Sequence, residues 1–318
     1  MNLFATILTY PAPSANYRGE SELNRTVIQK VTDGRFDYPI FSPESMRNAL
    51  REILAAYGLP CNRERLHDED QLAVKFADLP DPEEYVDDFF FGYLVAANGG
   101  DRKKMRSEVE KSRGKDRAAN FTFKRDSVLR MNLAKAVQPY RHNAIFTQSP
   151  LAADGSAYKN ATTSALLHRE TVVSAFQYPF AINFEDCKHQ PDWTRKLLKA
   201  IGELNEVAGN HARSYFEMAP ASIIARLTNS LVAGYQTYCF KPDDKSPDVI
   251  DDILAGDFDD KHGQAAEFYI GGEIVKRHLK PEQIKGLEDK GVTIDRDPRR
   301  LFMTIATKAL DDDQSGEA

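Results

Sequence analysis

Pro39-Ile40-Phe41-Ser42-Pro43-Glu44-Ser45-Met46-Arg47-Asn48-Ala49-Leu50-Arg51-Glu52-Ile53-Leu54 decides how this chain is built. Its first residues read as the end of a strand. Ser42 is a good N-cap, and Pro43 suits the first helical position, where a fixed φ helps and a missing N–H costs nothing. Met46, Leu50, Ile53 and Leu54 recur at helical spacing and predict a buried face. Arg47 and Arg51 stand one turn apart, so both guanidinium groups leave the helix on the same side. The unit is a strand feeding a capped helix whose polar face suits an anion.

Working outward, residues 2 to 10 alternate as a first strand, and Pro11 to Gly19 reads as a turn-rich loop. Thr26 to Val31 predicts a second strand, with Asp33-Gly34 as a hairpin signal before Asp37-Tyr38-Pro39-Ile40. From Cys61 to about Asn120 the chain is rich in charge, with helix-like patterns over 82–98 and 102–113 around Gly99-Gly100, which predicts a helical insertion. Strand-like sequence returns between Asn120 and Tyr140. Ile145 to Arg169 is polar, with a turn signal at Asp154-Gly155, as a projecting hairpin requires. Thr171 to Phe184 reads as a strand and Trp193 to Ala208 as an amphipathic helix ending at Gly209. Ala221 to Tyr238 returns to the sheet, and Lys280 to Lys290 is a short helix. That order predicts an α+β fold around an antiparallel sheet.

At 318 residues with a formal charge of −6, the chain is large enough for a substantial core and too acidic for indiscriminate nucleic-acid binding. The charge is segregated, however: residues 102–141 hold 13 Lys/Arg against 4 Asp/Glu, whereas residues 68–88 hold 9 acids and one lysine. Residues 241–260 are acidic again. Such a chain either holds a polyanion in one groove and repels it elsewhere, or pairs its basic and acidic faces between copies. Single runs of this kind also arise as ordinary solvated surface. No apolar run approaches the roughly 20 residues needed to span a bilayer. The first residues lack a basic leader, so a cytoplasmic protein is expected. Cys61, Cys187 and Cys239 are odd in number and far apart, which argues against a disulfide framework.

Nucleotide-binding glycine loops and a nucleophile elbow are absent from the sequence. Cys187 and His189 lack a second pair for a structural zinc site, so neither a metal nor a cofactor is expected. Asp33 and Asp37 flank a hairpin, where turn chemistry explains them more simply than phosphodiester cleavage. Asn16, Arg18, Asn24, Arg25 and Lys30 precede the Ser42–Arg51 helix in one strand-turn-strand unit. These residue types hold phosphates and 2′-hydroxyls. The aromatic octamer of the usual RNA-recognition motif is missing, which points to backbone holding rather than base stacking.

These residues resemble the CRISPR-associated backbone subunit of type I effector complexes, the Cas-seven family, in its DevR-like branch. The resemblance runs through Pro13-Ser14-Ala15-Asn16, Leu23-Asn24-Arg25, Gln29-Lys30 and Phe41-Ser42-x-x-Ser45-Met46-Arg47-x-x-Leu50-Arg51. A second match is Gly209-Asn210-His211-Ala212-Arg213-Ser214-Tyr215 with Pro220-Ala221-Ser222-Ile223. It implies a modified ferredoxin-like (RRM-like) antiparallel palm over residues 1–60 and 121–318, a helical fingers-like insertion over 61–120 and a β-hairpin thumb at about 146–169.

The resemblance further implies a non-enzymatic subunit that polymerises along a guide RNA (crRNA) so that the bases pair with a target DNA strand. Its partners would be neighbouring copies and other Cascade subunits. Ser42, Arg47 and Arg51 would contact guide phosphates, with Asn24, Arg25 and Lys30 beside them and Asn16 and Arg18 in the preceding loop. Asn210 and Arg213 would lie in a Gly-rich loop on the same backbone. Gln148 and Arg169 are thumb candidates on chemistry alone. Two other readings stay open: a type III-like backbone subunit that cuts target RNA with Asp33 or Asp37, and a regulatory or structural protein without guide RNA.

Overall fold

The computed structural model describes residues 1–22, 25–67, 72–148, 166–207, 215–242, 246–258 and 264–311. Its organising element is the Asn2–Thr9 strand, which pairs antiparallel with Phe176–Asn183 on one side and with Pro220–Thr228 on the other. Past Phe176–Asn183 come Ala134–Ala136, Phe36–Phe41 and Lys30–Asp33, and Leu129–Met131 also pairs with Phe176–Asn183. Past Pro220–Thr228 lies Phe268–Gly272, which Thr293–Asp295 joins in parallel. The result is a mixed α+β fold on a nine-stranded sheet dominated by antiparallel pairs.

Alternate residues of a strand face opposite ways, and this sheet buries both faces. Along Pro220–Thr228, Ile223, Ala225 and Leu227 join a large core with Leu197, Ile201, Phe302 and Ile305. The intervening Ile224 joins a second core with Val249, Ile253, Phe268 and Ile270. The helices Pro43–Ala56, Pro191–Gly202 and Pro298–Asp311 cover the first face, and Asp248–Ala255 and Pro281–Asp289 cover the second. Each fully buried Leu, Ile or Phe contributes roughly 1.5–3 kcal/mol. Buried Tyr178 satisfies its hydroxyl by donating to the Met218 carbonyl at 2.9 Å, as an aromatic with a polar tip must.

Several expectations need correction. Pro11 to Gly19 is not a loop: Ala12–Ser14 and the start of Tyr17–Glu22 are strands. Thr26 to Val31 divides into Arg25–Ile28 and Lys30–Asp33, because Gln29 turns its backbone to Asn16 and Ile40 and the two halves join different sheets. The insertion is not purely helical. It opens with a hairpin, Arg63–His67 against Leu72–Phe76, before the helices Val86–Phe91, Gly99–Arg113 and Lys115–Asn120. The helix beginning at Pro191 stops at Gly202, well before Gly209. The Pro298–Asp311 helix, unread in the sequence, carries Leu301, Phe302 and Ile305 into the core at helical spacing.

Gly272 ends its strand at φ +89°, and a Cβ there would sit on the Ala221 carbonyl oxygen with Pro298 Cγ 2.9 Å away. Gly272→Ala is therefore expected to lose at least about 1–3 kcal/mol in denaturant unfolding. A wild-type midpoint would contradict this packing.

Candidate nucleic-acid interface

The opening helix forms as its sequence dictates. Ser42 Oγ accepts from the Ser45 backbone N–H at 3.2 Å, Pro43 follows, and Met46, Leu50 and Leu54 are buried. Ser45 Oγ in turn donates to the Val207 carbonyl, tying the helix start to the chain that leads into residues 208–214. The two arginines part company in depth. Arg47 keeps its side chain at 20% exposure, with Nη1 3.7 Å from Glu44 Oε1.

Arg51 is only 8% exposed. Its Nη1 donates to Asn48 Oδ1, its Nε lies 3.5 Å from Asp87 Oδ2, and its Cζ stands 4.9 Å over the Phe91 ring. The sequence placed Arg51 on an open polar face; the insertion packs over it.

Asp87 is the counter-charge beneath this face. Fully buried, it accepts the backbone N–H of Asn62 at 2.7 Å on one oxygen and that of Arg63 at 3.1 Å on the other. It therefore holds the start of the insertion hairpin against Arg51. Arg47, Arg51, Arg63 and Lys75 now line one cleft of about 330 Å³ with Glu44, Asn48, Phe76, Phe91 and Leu94. Four cations line the cleft, with Glu44 beside Arg47, Asp87 beneath Arg51 and Glu64 beside Lys75. Burial pulls the Arg51 guanidinium down to about 10, with the nearby Arg63 adding to the effect. Burial also lowers Arg47, again with Arg63 contributing. Crowded like charges of this kind favour an incoming anion.

A second set of candidates gathers on a smaller sheet. Ala144–Gln148 pairs antiparallel with Leu166–Glu170, which pairs in parallel with Arg25–Ile28, and Tyr17–Glu22 completes a four-stranded sheet. Arg18, Arg25, Gln148 and Arg169 thus lie on one sheet by backbone position. Its base is clamped by buried Glu170, which accepts from the Ile28 N–H at 3.2 Å and lies 3.8 Å from both Lys30 Nζ and His142 Nδ1. Lys30 Nζ also stands 4.1 Å over the Tyr140 ring. Asn16 is buried and donates its amide to the Ile40 carbonyl at 2.7 Å, bracing the strand before the helix. Asn24, Asn210 and Arg213 lie outside the described residues, as does the Asp154-Gly155 turn.

Two arginines of the insertion's basic run are spent on its acidic run. Arg113 Nη2 donates to Asp78 Oδ2 at 2.6 Å and also contacts Asp81 and Glu84, while Arg117 contacts Asp81, Glu83 and Glu84. Arg102 and Arg106 lie over Phe123. Arg102, Lys103, Lys104, Arg106, Lys111 and Lys115 stay exposed, so this run presents cations to solvent in addition to those of the cleft. Asp33 pairs with Lys135 Nζ at 2.8 Å, and Asp37 accepts from Thr32 Oγ1 at 2.8 Å. All three cysteines are free thiols, and no cluster of metal-ligating side chains occurs among the described residues.

Arg63, Lys75 and Asp87 were not legible as parts of this face, because nothing in the sequence signals the hairpin that brings them to Arg47. Asp87→Ala leaves Arg51 buried without its counter-ion, and a loss of about 3–5 kcal/mol is expected in urea unfolding. Arg51→Met added to Asp87→Ala should recover a measurable part of it. Equal instability of the single and double variants would show that the pair is not the coupling.

No protein-family model matches this chain. It is 28% identical over 295 residues to a CRISPR-associated protein Cas7/Cst2/DevR of Myxococcus xanthus (strain DK1622), covering 87% of this chain and 88% of that one. Among solved structures, a chain of a CRISPR RNA-guided surveillance complex in a pre-nicking state shares the fold with a TM-score of 0.52 at 13% identity, over 96% of this chain and 100% of that one. A second CRISPR RNA-guided surveillance complex gives 0.51 at 12%, over 96% and 99%. The chain is similar over most of its length to a Cas7/Cst2/DevR protein, the family that its motifs resemble.

Proposed function

We propose that this protein is a guide-binding backbone subunit of a type I CRISPR interference complex (Cascade), non-catalytic and cytoplasmic, polymerising along crRNA with neighbouring copies and other subunits. The observation that carries the reading is the cleft beside Arg47, which Arg47, Arg51, Arg63 and Lys75 line together, on a chain similar over most of its length to a Cas7/Cst2/DevR protein. A subunit that serves every guide must hold phosphates and sugars and leave base edges free for the target DNA strand. Arginine forks on a helix do this without reading sequence.

The sheet supports a modified ferredoxin-like palm. Strand Asn2–Thr9, helix Pro43–Ala56, the 129–136 strands, strand Phe176–Asn183, helix Pro191–Gly202 and strand Pro220–Thr228 follow in chain order, and the strands lie in space as fourth, first, third, second. The paired strands Ala144–Gln148 and Leu166–Glu170 are the base of the thumb. Asp33 and Asp37 act as turn and pairing residues in this reading, not as the carboxylates of a nuclease. No helix among the described residues is long and apolar enough to cross a membrane.

Protein purified from its native operon is expected to carry RNA of uniform length; protein free of RNA under nuclease-free conditions would contradict the reading. Arg47→Ala is expected to weaken binding of mixed-sequence single-stranded RNA and to lower the log–log salt slope by about 0.7 per phosphate released. Unchanged affinity and slope in a folded variant would remove Arg47 from the interface. Incubation with complementary target RNA and Mg²⁺ or Mn²⁺ should leave the target intact. Cleavage abolished by Asp33→Ala or Asp37→Ala would establish the type III-like alternative.

A further inference from the structure

The cleft has a second wall that the helix motif does not supply. Arg63, from the insertion hairpin, is fixed from behind: its Nη2 donates to the Gly92 carbonyl at 2.7 Å and its Cζ stands 5.0 Å over the Phe76 ring. Lys75, on the facing strand, lies 3.2 Å from Glu64 Oε2. Exposed pairs of this kind are worth only about 0.2–1 kcal/mol and yield to a better anion. Nε of Arg47 and Nε of the deeply buried Arg51 have no hydrogen-bond partner. Beside these cations, half-buried Phe76 and Leu94, the latter 70% exposed, form an apolar rim. At about 330 Å³ the cleft is at the small end of ligand sites, with room for one anionic unit rather than a length of strand.

We propose that the cleft seats a single nucleotide of the bound RNA, with Arg47, Arg63 and Lys75 holding one phosphodiester and Phe76 with Leu94 taking the apolar face of its ribose or base. The inference rests on the guide-binding reading and adds the insertion hairpin to it as a direct RNA contact. The juxtaposition selects the ligand class. A nucleotide couples one anion to one flat apolar body at short range, matching cations beside an aromatic rim. An acidic peptide supplies the anion without the second part. Arg51, held by Asp87, is a positioning residue here: it stiffens the cleft floor and adds charge from below.

The test is anisotropy titration of fluorescein-labelled mixed-sequence single-stranded RNA against the purified full chain across a salt series. Lys75→Met and Arg63→Ala with Lys75→Met are expected to weaken binding several-fold, the double variant losing up to about 0.7 from the salt slope. Leu94→Gln should weaken binding with the slope unchanged, because its contact is apolar. RNA carrying 4-thiouridine is expected to photo-crosslink to peptides spanning residues 63–76 or 91–94, an observation on wild-type protein that stands even where Arg63→Ala does not fold. Wild-type RNA binding that is indifferent to Lys75→Met and Leu94→Gln, with crosslinks confined to other segments, overturns the seat and leaves the guide-binding reading standing. A wild-type chain that binds no RNA overturns both. An acidic peptide that binds the wild type more tightly than RNA, and loses that affinity in Lys75→Met, assigns the cleft to a protein partner instead.

Discussion

One buried carboxylate fixes the relation between the opening helix and the hairpin that follows it. Asp87 accepts two backbone N–H groups at the entrance to the insertion and opposes Arg51 on the opening helix. A charge buried this deeply is tolerated only when paired and hydrogen-bonded, so the position of one element constrains the other. Arg51 cannot withdraw to solvent without stranding Asp87, and the hairpin cannot lift away without stranding both. Neighbouring Asp88 reinforces the lock by accepting from Asn62 Nδ2 at 2.7 Å and from the Asp81 N–H at 3.0 Å. Burial holds its carboxyl above the usual range. The cleft between helix and hairpin is therefore preorganised, and binding an anion there costs little reordering of the side chains that line it.

The rest of the molecule supports that geometry from two sides. The central sheet buries side chains on both faces, which makes the Phe36–Phe41 strand and the helix after it a rigid platform. Phe41 packs against Phe176 and Phe216, with ring centroids 4.8 and 5.3 Å away, so the strand end that launches the helix is fixed in the core. The insertion, for its part, pairs two of its arginines internally. Its arginines at 113 and 117 are taken up by the acids between 78 and 84. That internal pairing cancels charge where it serves structure, while four cations line the cleft.

The sequence was most informative where local rules act alone. Ser42, Pro43 and the Met46, Leu50, Leu54 spacing follow from capping and periodicity, and the helix is found where they put it. Phe176–Asn183 was legible because a doubly buried strand is nearly all apolar. What could not be read depends on tertiary context. Arg51 looks like a surface residue until the insertion covers it, and Arg63 and Lys75 acquire meaning only through the hairpin. The Tyr17–Glu22 strand was hidden by the turn-forming residues that precede it, because a strand at the edge of a small sheet draws its stability from its partners more than from its own pattern.

The central claim is geometric: a guide strand runs across the opening helix with its phosphates toward Arg47 and its base edges left open. An electron-cryomicroscopy map of the RNA-bound assembly tests it most directly. The account predicts a phosphate within hydrogen-bond distance of the Arg47 guanidinium, beside the wall formed by Arg63 and Lys75, with base edges open to a pairing strand. Nucleic-acid density absent from that helix, or bases buried in the cleft with phosphates facing solvent, would contradict it.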